Sequence, residues 1–338
     1  MSELSIIIVN WNGKHFLKDC LDSVFKQSLD DCSVVFIDNG STDDSVRFVE
    51  KKYASRIKNR RLKIIVNNKN YGFAEGNNIG IEESLKDLNC KYIFCLNNDT
   101  VIESNCLDEL IKIADDPNFK HFGSFQPKMV WHDYRELIDS AGLLYGKNSL
   151  GFNRGGFEAV KNYDQSVEIL GCCGGACLYR RKAVEELIEK DGEFFDKDFF
   201  AYYEDFDVAF RLQWRGWPSF YVSNSIVYHK RGGSQKKSTK KTLYWGHRNN
   251  VYVIAKNLPK SFIFKNFILI LSAQILSIAI NFIKRGLLGF TIAKAKIDGF
   301  RNWAKMREKA KIIQSNSGNW PNVEKFLVSK WRMRKPKR

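Results

Sequence analysis

Within its first hundred residues the chain passes four times from a short apolar run into a longer polar stretch, and this alternation limits its fold more than any other feature. Residues 4–9, 34–38, 62–66 and 92–96 are apolar or β-branched, and each run stops at polar or turn residues. Amphipathic stretches of helical length separate them, at about 14–27, 42–53 and 74–87. Strands alternating with helices of that length predict βαβ units, hence an α/β fold with a mostly parallel sheet flanked by helices. In such sheets ligands bind outside the carboxyl ends of the strands, so the residues after each strand carry the functional reading.

The first strand end reads Asn10-Trp11-Asn12-Gly13. Its single glycine falls short of the GxGxxG turn of a nicotinamide-binding domain. No Walker A string and no glycine-rich, lysine-bearing nucleotidylyltransferase loop occurs either. The second end, Asp38-Asn39-Gly40-Ser41-Thr42-Asp43, reads in isolation as a turn and N-cap with Asp43 in the first helical turn. The third, Asn70-Tyr71-Gly72-Phe73-Ala74-Glu75-Gly76-Asn77-Asn78, opens a helix. Glycines there let backbone approach a ligand, and a helix N-terminus favours phosphate. The fourth, Asn97-Asn98-Asp99-Thr100, sets oxygen acceptors of hard-cation character at a strand end. Each loop alone has a bland reading as a turn or cap. Four of them at successive strand ends form a constellation that this reading explains poorly.

Five segments in order then resemble the family 2 inverting glycosyltransferases with the GT-A fold, nearest their rhamnosyltransferase-like branch, over about residues 4–260. They are Val9-Asn10-Trp11-Asn12, the 38–43 loop, the 70–78 string, Asn98-Asp99-Thr100, and a helix start at Tyr203-Glu204-Asp205. The resemblance implies that Asp38 contacts the nucleobase of a sugar nucleotide, with Asn10, Asn12 and Asn98 in the same pocket and Asn77 and Asn78 near base or ribose. It implies that Asp99 is the last carboxylate of a DxD signature holding Mg²⁺ or Mn²⁺ on the diphosphate. The first position of that signature is Asn97 here, a neutral ligand. It further implies Asp205 as the general base and Glu204 as its acceptor-orienting neighbour, His229 as a metal ligand, and Lys230 and Arg231 as phosphate contacts at the start of a basic loop through Gly232-Gly233-Ser234. The small-residue run at 171–177 reads as packing beneath a sugar pocket. Gln213-Trp214-Arg215-Gly216-Trp217 lacks the spacing of the QxxRW motif of processive synthases, which favours single addition.

Composition adds a second theme. The eight cysteines include no CxxC pair, which excludes a zinc ribbon and a disulfide scaffold and suits a reducing compartment. The six-residue apolar run at the N-terminus is too short for a signal peptide, so a cytoplasmic location is expected. Residues 1–229 carry a net charge of −7 and residues 230–338 one of +23. An acidic body and a basic tail suggest a division near 235/236 into a GT-A domain and a membrane-associating helical region. Eighteen uncharged residues, 266–283, lie in that tail. At about 1.5 Å per residue they barely span a bilayer. Gln274, Ser277, Asn281 and Lys284 or Arg285 form one polar stripe, which suits a helix lying in the interface. Spanning, or packing on the body, are the other readings. Trp303, Trp320 and Trp331 interleave with cations as candidate anchors beside anionic lipid. No nucleic-acid motif accompanies the charge.

The expected protein is thus a transferase moving a sugar, rhamnose by the branch it resembles, from a dTDP- or UDP-linked donor to a lipid-linked or cell-surface glycan at the inner face of the membrane. A non-catalytic glycan or membrane adaptor that keeps the fold is the alternative.

Overall fold

The computed structural model describes residues 3–27, 32–231, 239–315 and 319–329. The boundary expected near 235, the 232–234 segment and Trp331 lie outside them. The N-terminal elements are β1 (Leu4–Asn10), α1 (Lys14–Phe25), β2 (Cys32–Asp38), α2 (Ser45–Lys52), α3 (Ala54–Lys58), β3 (Leu62–Val66), α4 (Gly72–Leu85), β4 (Tyr92–Asn97), β5 (Thr100–Ile102) and α5 (Cys106–Asp115). Then come β6 (Ser124–Trp131), β7 (Ile138–Ser140), β8 (Leu143–Gly146), β9 (Gly151–Asn153), β10 (Val167–Ile169), β11 (Ala176–Arg180), α6 (Arg181–Asp191), α7 (Glu204–Trp214) and β12 (Ser219–His229). The tail supplies α8 (Lys240–Asn257), α9 (Lys260–Lys265), α10 (Phe267–Arg285), α11 (Leu288–Arg301), α12 (Trp303–Ile313), α13 (Trp320–Glu324) and β13 (Leu327–Val328).

The main sheet runs β10-β12-β6-β11-β4-β1-β2-β3, with β5 on β12 and β7 on β6. β1 pairs in parallel with β2 and β4, and β2 with β3. Parallel pairing is uninterrupted in this half, and β6 and β12 of the other half also pair in parallel. β11 enters antiparallel between β4 and β6, so the whole sheet is mixed. Between β6 and β11 the chain passes through β8 and β9 of a small second sheet and not through a crossover helix, the connection that parallel neighbours require. The short strand expected at 225–228 is the end of the eleven-residue β12. Its register slips between Val222 and Ile226, where Ser223-Asn224-Ser225 interrupts the apolar pattern.

Both faces of the parallel half are covered, which is why its strands read as unbroken apolar runs. Ile6 and Ile8 enter one core with α1, α2 and α5, while Ile7 enters the opposite core with α4, α6 and α7. A third core joins α7 to the tail helices α8, α12 and α13. There the Trp214 indole N–H donates to the Asn257 carbonyl at 3.1 Å, and its ring stacks on Trp320 at 5.5 Å. Trp320, expected as a membrane anchor, therefore packs into the core. Trp303 is half-buried and stacks on Phe300 at 5.8 Å. Gln213 donates to the carbonyls of Ile169 and Leu170 at 3.2 and 3.0 Å, a structural task.

Part of the tail's positive charge is neutralised inside the protein. Lys256 bridges Asp196 at 2.7 Å and Asp207 at 2.8 Å, and Lys309 bridges Asp196 at 2.7 Å and Asp198 at 2.8 Å. Arg211 closes on Asp207 at 2.8 Å, and the Asn257 amide donates to it at 2.9 Å. Asp207 is the fourth residue of α7, so this buried cluster pins the helix start that carries Glu204 and Asp205.

Candidate active site

Strand register places the polar ends side by side. Asn10 lies opposite Asp38, and Val9 opposite Asn97. The buried Asn10 amide donates to Asp38 Oδ2 and to Ser41 Oγ, both at 3.1 Å, and its oxygen accepts from Asn98 Nδ2 at 2.7 Å. Asp38 Oδ1 accepts the Ser41 N–H at 2.8 Å. Asn12, in the left-handed region at φ 52°, accepts the Thr42 N–H at 2.7 Å. The loops after β1, β2 and β4 thus form one hydrogen-bonded wall built from Asn10, Asn12, Asp38 and Asn98. Asp43 stands before α2 and not in its first turn, because Asp44 turns left-handed at φ 59°. Its carboxylate accepts the Lys14 N–H at 2.9 Å, tying the second loop to the first.

The loop before α4 departs from expectation. Gly72 has φ +88°, and a Cβ there would stand 2.5 Å from the Phe200 carbonyl oxygen. That oxygen accepts the N–H groups of Phe73 at 2.7 Å and Ala74 at 3.1 Å. The helix N-terminus expected to favour phosphate is therefore capped by protein. Asn77 donates to the Phe73 carbonyl at 2.9 Å. Asn78 exchanges two hydrogen bonds with the Phe195 backbone, at 2.7 and 2.9 Å, so its amide holds two segments together.

On the other side of β4, the pairing of β5 with β12 sets His229 opposite Thr100 and so beside Asp99. His229 Nε2 lies 3.2 Å from Asp99 Oδ1, and Nδ1 lies 2.7 Å from Asp139 Oδ2. Burial disfavours the imidazolium, but the hydrogen bonds and charges of Asp139 and Asp99 outweigh it and raise its pKa to about 9. Asp139 also pairs with Arg231, whose guanidinium lies over Trp131. Lys230 pairs with Asp19 at 2.6 Å, and its N–H donates to the Asp99 carbonyl at 2.9 Å. Both cations expected at phosphate are thus held by carboxylates at this edge.

These residues fit a divalent cation. The carboxylate oxygen suits either Mg²⁺ or Mn²⁺, the imidazole nitrogen favours Mn²⁺ of the two, and Asp139 lies on the far ring nitrogen as outer carboxylates do for metal-ligating histidines. Among the described residues no three His, Cys, Asp or Glu side chains form a metal cage. Two protein donors with the remainder from substrate phosphates is the usual arrangement for Mg²⁺. Asn97 ends β4 beside them, its N–H on the Gly175 carbonyl at 2.9 Å.

The next residue, Gly174, reaches the carboxylate pair. Its N–H donates to Asp205 Oδ2 at 3.1 Å, and the Phe206 N–H donates to Asp205 Oδ1 at 2.8 Å. The small-residue run thus links the Asn97 strand end to Asp205. Gly171 in that run is a packing position, since a Cβ there would stand 2.0 Å from the Ala209 Cβ. Glu204 is buried, and its Oε2 has no partner. Burial raises the pKa of both carboxyls. The negative charges of Asp205 and Asp207 push Glu204 further up, while the two backbone N–H groups on Asp205 pull it back. Of the two, Glu204 is therefore the more readily protonated.

Three residues on this side are not singled out by the sequence. Asp139 is the only charge in the wholly buried β7, between Ile138 and Ser140, and an acid in so short a buried strand was the one available clue. Asn249 and Arg248 had none. The Asn249 amide donates to the carbonyls of Phe199 at 2.8 Å, Ala201 at 2.9 Å and Tyr202 at 2.7 Å. Arg248 adds bonds to Asp198 and Phe199 at 2.8 and 3.0 Å. They hold a loop in which Phe200, Tyr202 and Tyr203 all have φ between 64° and 72°, a strained approach to Glu204 and Asp205. Asn249→Ala is expected to lower kcat at least ~10-fold through misplacement of this loop. Nucleotide affinity should be unchanged, because Asn249 takes no part in the hydrogen bonds among Asn10, Asn12, Asp38 and Asn98, and steady-state kinetics beside a nucleotide titration separates the two.

Comparison with known proteins gives the family and supports the fold. The model of the family described as Glycosyl transferase family 2 matches residues 5–188. Agl10 of Haloferax volcanii, a low-salt glycan biosynthesis hexosyltransferase, is 24% identical over 216 residues, covering 63% of this chain and 62% of that protein. The chain thus aligns with under two thirds of that relative's length. Among solved structures, the mannosyltransferase PcManGT of Pyrobaculum calidifontis, in complex with GDP-Man and Mn²⁺, superposes with a TM-score of 0.55 at 14% identity, over 95% of this chain and 87% of that one. S. aureus TarS 1–349 in complex with UDP-GlcNAc gives 0.57 at 15% identity, over 98% and 94%. At such identities these two likenesses speak for the fold.

Proposed function

The chain belongs to glycosyl transferase family 2, and from that premise we propose that it is an inverting, single-addition transferase. It moves a hexose from a nucleoside-diphosphate donor to a hydroxyl of a glycan acceptor, lipid-linked and presented at the cytoplasmic face of a membrane. The observation that carries this reading is the 3.2 Å pairing of Asp99 with His229, joined through Gly174 and Gly175 to the Asp205 carboxylate. The hexosyl and glycan activities in the name of Agl10, and the sugar nucleotides bound by the two solved relatives, support the substrate class.

In this reading Asn10, Asn12, Asp38 and Asn98 wall the nucleoside end of the donor. Asp205 takes the acceptor proton as the acceptor oxygen attacks the anomeric carbon. The bond from that carbon to the diphosphate oxygen breaks in the same displacement, so configuration inverts. Glu204, protonated, donates a hydrogen bond that orients the acceptor. Mg²⁺ or Mn²⁺ on Asp99 and His229, with Asn97 beside them, would offset charge on the departing diphosphate. Lys230 and Arg231 exchange Asp19 and Asp139 for diphosphate oxygens when donor is present.

The test is a thermal-shift panel with dTDP, UDP, GDP and CDP, each with Mn²⁺ or EDTA. One nucleotide with Mn²⁺ is expected to raise Tm, by the equivalent of about 2.7 kcal/mol at a hundredfold excess over Kd. EDTA or Asp99→Ala should remove the shift. A dTDP response would favour rhamnose as the sugar. No shift with any nucleotide overturns the reading in favour of a non-catalytic adaptor.

A further inference from the structure

Resting on the membrane location proposed above, we infer that the α10–α11 hairpin, entered through α9, is a docking surface that lies in the plane of an anionic lipid bilayer and does not cross it. The polarity of α10 is inverted relative to a helix packed on a soluble body. Its polar stripe faces the protein, where Gln274 is 3% exposed and accepts a hydrogen bond from the equally buried Lys296 of α11. Ser277 and Asn281 bond back to carbonyls of their own helix, at 2.8 and 2.7 Å. The apolar side faces outward. Ile268 and Ile283 are 82% and 84% exposed, with Ile275 between them and Leu287 and Phe290 beyond the turn. Only 17% of the apolar stretch is buried, whereas exposed aliphatic residues elsewhere among the described residues, such as Val66, Leu88 and Ile312, stand apart from one another along the chain.

Charge selects the occupant. Lys260 and Lys265 stand before this surface, Lys284 and Arg285 at its turn, and Lys294 and Arg301 along its return; all six are exposed. Asp298, the one acid between residues 259 and 302, is taken by Tyr244 at 2.9 Å and Arg301 at 3.0 Å. A second copy of the chain meeting this face across a two-fold axis would set its cations against their own images. Anionic headgroups complement them while acyl chains receive the isoleucines. Crossing is opposed by the packing. α11 runs back along α10 and is packed in turn on α8, which belongs to the third core. A spanning α10 would carry the buried Gln274–Lys296 pair into hydrocarbon.

The same helix joins this surface to the acceptor side of the site. Tyr244 of α8 binds Asp298 of α11, and Trp245 stacks on Phe200 at 4.5 Å, at the start of the strained loop that leads to Asp205. A bilayer on the hairpin therefore presents lipid-borne acceptors beside that loop.

The test is flotation of the full chain with vesicles of phosphatidylcholine alone or mixed with phosphatidylglycerol, followed by alkaline carbonate extraction. The protein is expected to float with the anionic vesicles and to be released by carbonate. The triple variant Ile268→Glu, Ile275→Glu and Ile283→Glu touches only exposed positions. It should keep its melting temperature and cut the floating fraction at least about tenfold, as the loss of three lipid-buried side chains requires. Flotation on neither vesicle, retention through carbonate, or a wild-type dimer that the triple variant dissociates would each overturn the proposal. Nucleotide shifts measured on the same variant keep the transferase reading separate, since these residues lie far along the chain from the strand ends.

Discussion

Asp205→Asn abolishes transfer while the nucleotide- and metal-dependent thermal shift survives. The expected fall in kcat is about 10²–10⁴-fold, the range attributed to a positioned general base. The amide keeps the carboxylate's shape but has one oxygen, so it accepts only one of the Gly174 and Phe206 N–H groups, and it takes no proton. The pH profile tests the same residue. Burial raises the Asp205 pKa, so the proton is retained to higher pH than on a free aspartate, and activity is lost as pH falls through that raised value. The acid limb of kcat should therefore lie above the ordinary aspartate range. Stability runs the other way. A carboxyl whose folded pKa is raised costs stability at neutral pH; Asp205→Asn removes that cost but loses one backbone hydrogen bond, so its Tm should stay close to that of the wild type. A variant that loses both Tm and nucleotide response would mark Asp205 as a structural residue.

Lys256→Met is expected to destabilise the fold by about 3–5 kcal/mol, the loss typical when one partner of a buried ion pair is removed. The lysine is 3% exposed, and its removal leaves Asp196 and Asp207 in the interior with Arg211 and Lys309 as remaining counter-charges. Burial opposes ionisation of Asp207, but the charges of Arg211 and Lys256 outweigh it and hold its pKa below the ordinary value. Such a group adds stability above its unfolded pKa, about 3.9, and that contribution is lost as pH falls through the folded value. Removing Lys256 raises the folded value, so acid unfolding should begin at higher pH in the variant. Denaturant titrations at neutral and acid pH measure both effects. An unchanged midpoint would show that the tail helices are not coupled to α7 through this cluster.

The parallel half of the sheet was legible because its signals are local. The period of the apolar runs and the turn residues after them are properties of consecutive residues, and both survive folding unchanged. This is why β1 to β4 and the polar ends at Asn10, Asp38 and Asn97 fall at the expected places. The N-terminus of α4 shows the limit of such signals. A cap or phosphate site there is defined by which N–H groups remain open, and the Phe200 carbonyl comes from a distant segment to close those of Phe73 and Ala74.

The sequence by itself thus determined the α/β class, the polar strand ends that meet in one hydrogen-bonded wall, and the adjacent carboxylates Glu204 and Asp205 at a helix start. Only the tertiary structure decided that Asp139, 90 residues away in sequence, turns His229 toward Asp99, and that Asn249 restrains the loop before Asp205. It also decided the direction of α10, whose stripes the sequence displayed without indicating which one faces the protein. Strand period and turn chemistry are written in neighbouring residues. Which side chains meet across the fold, and which face turns inward, is set by how distant elements pack, and no local pattern contains that.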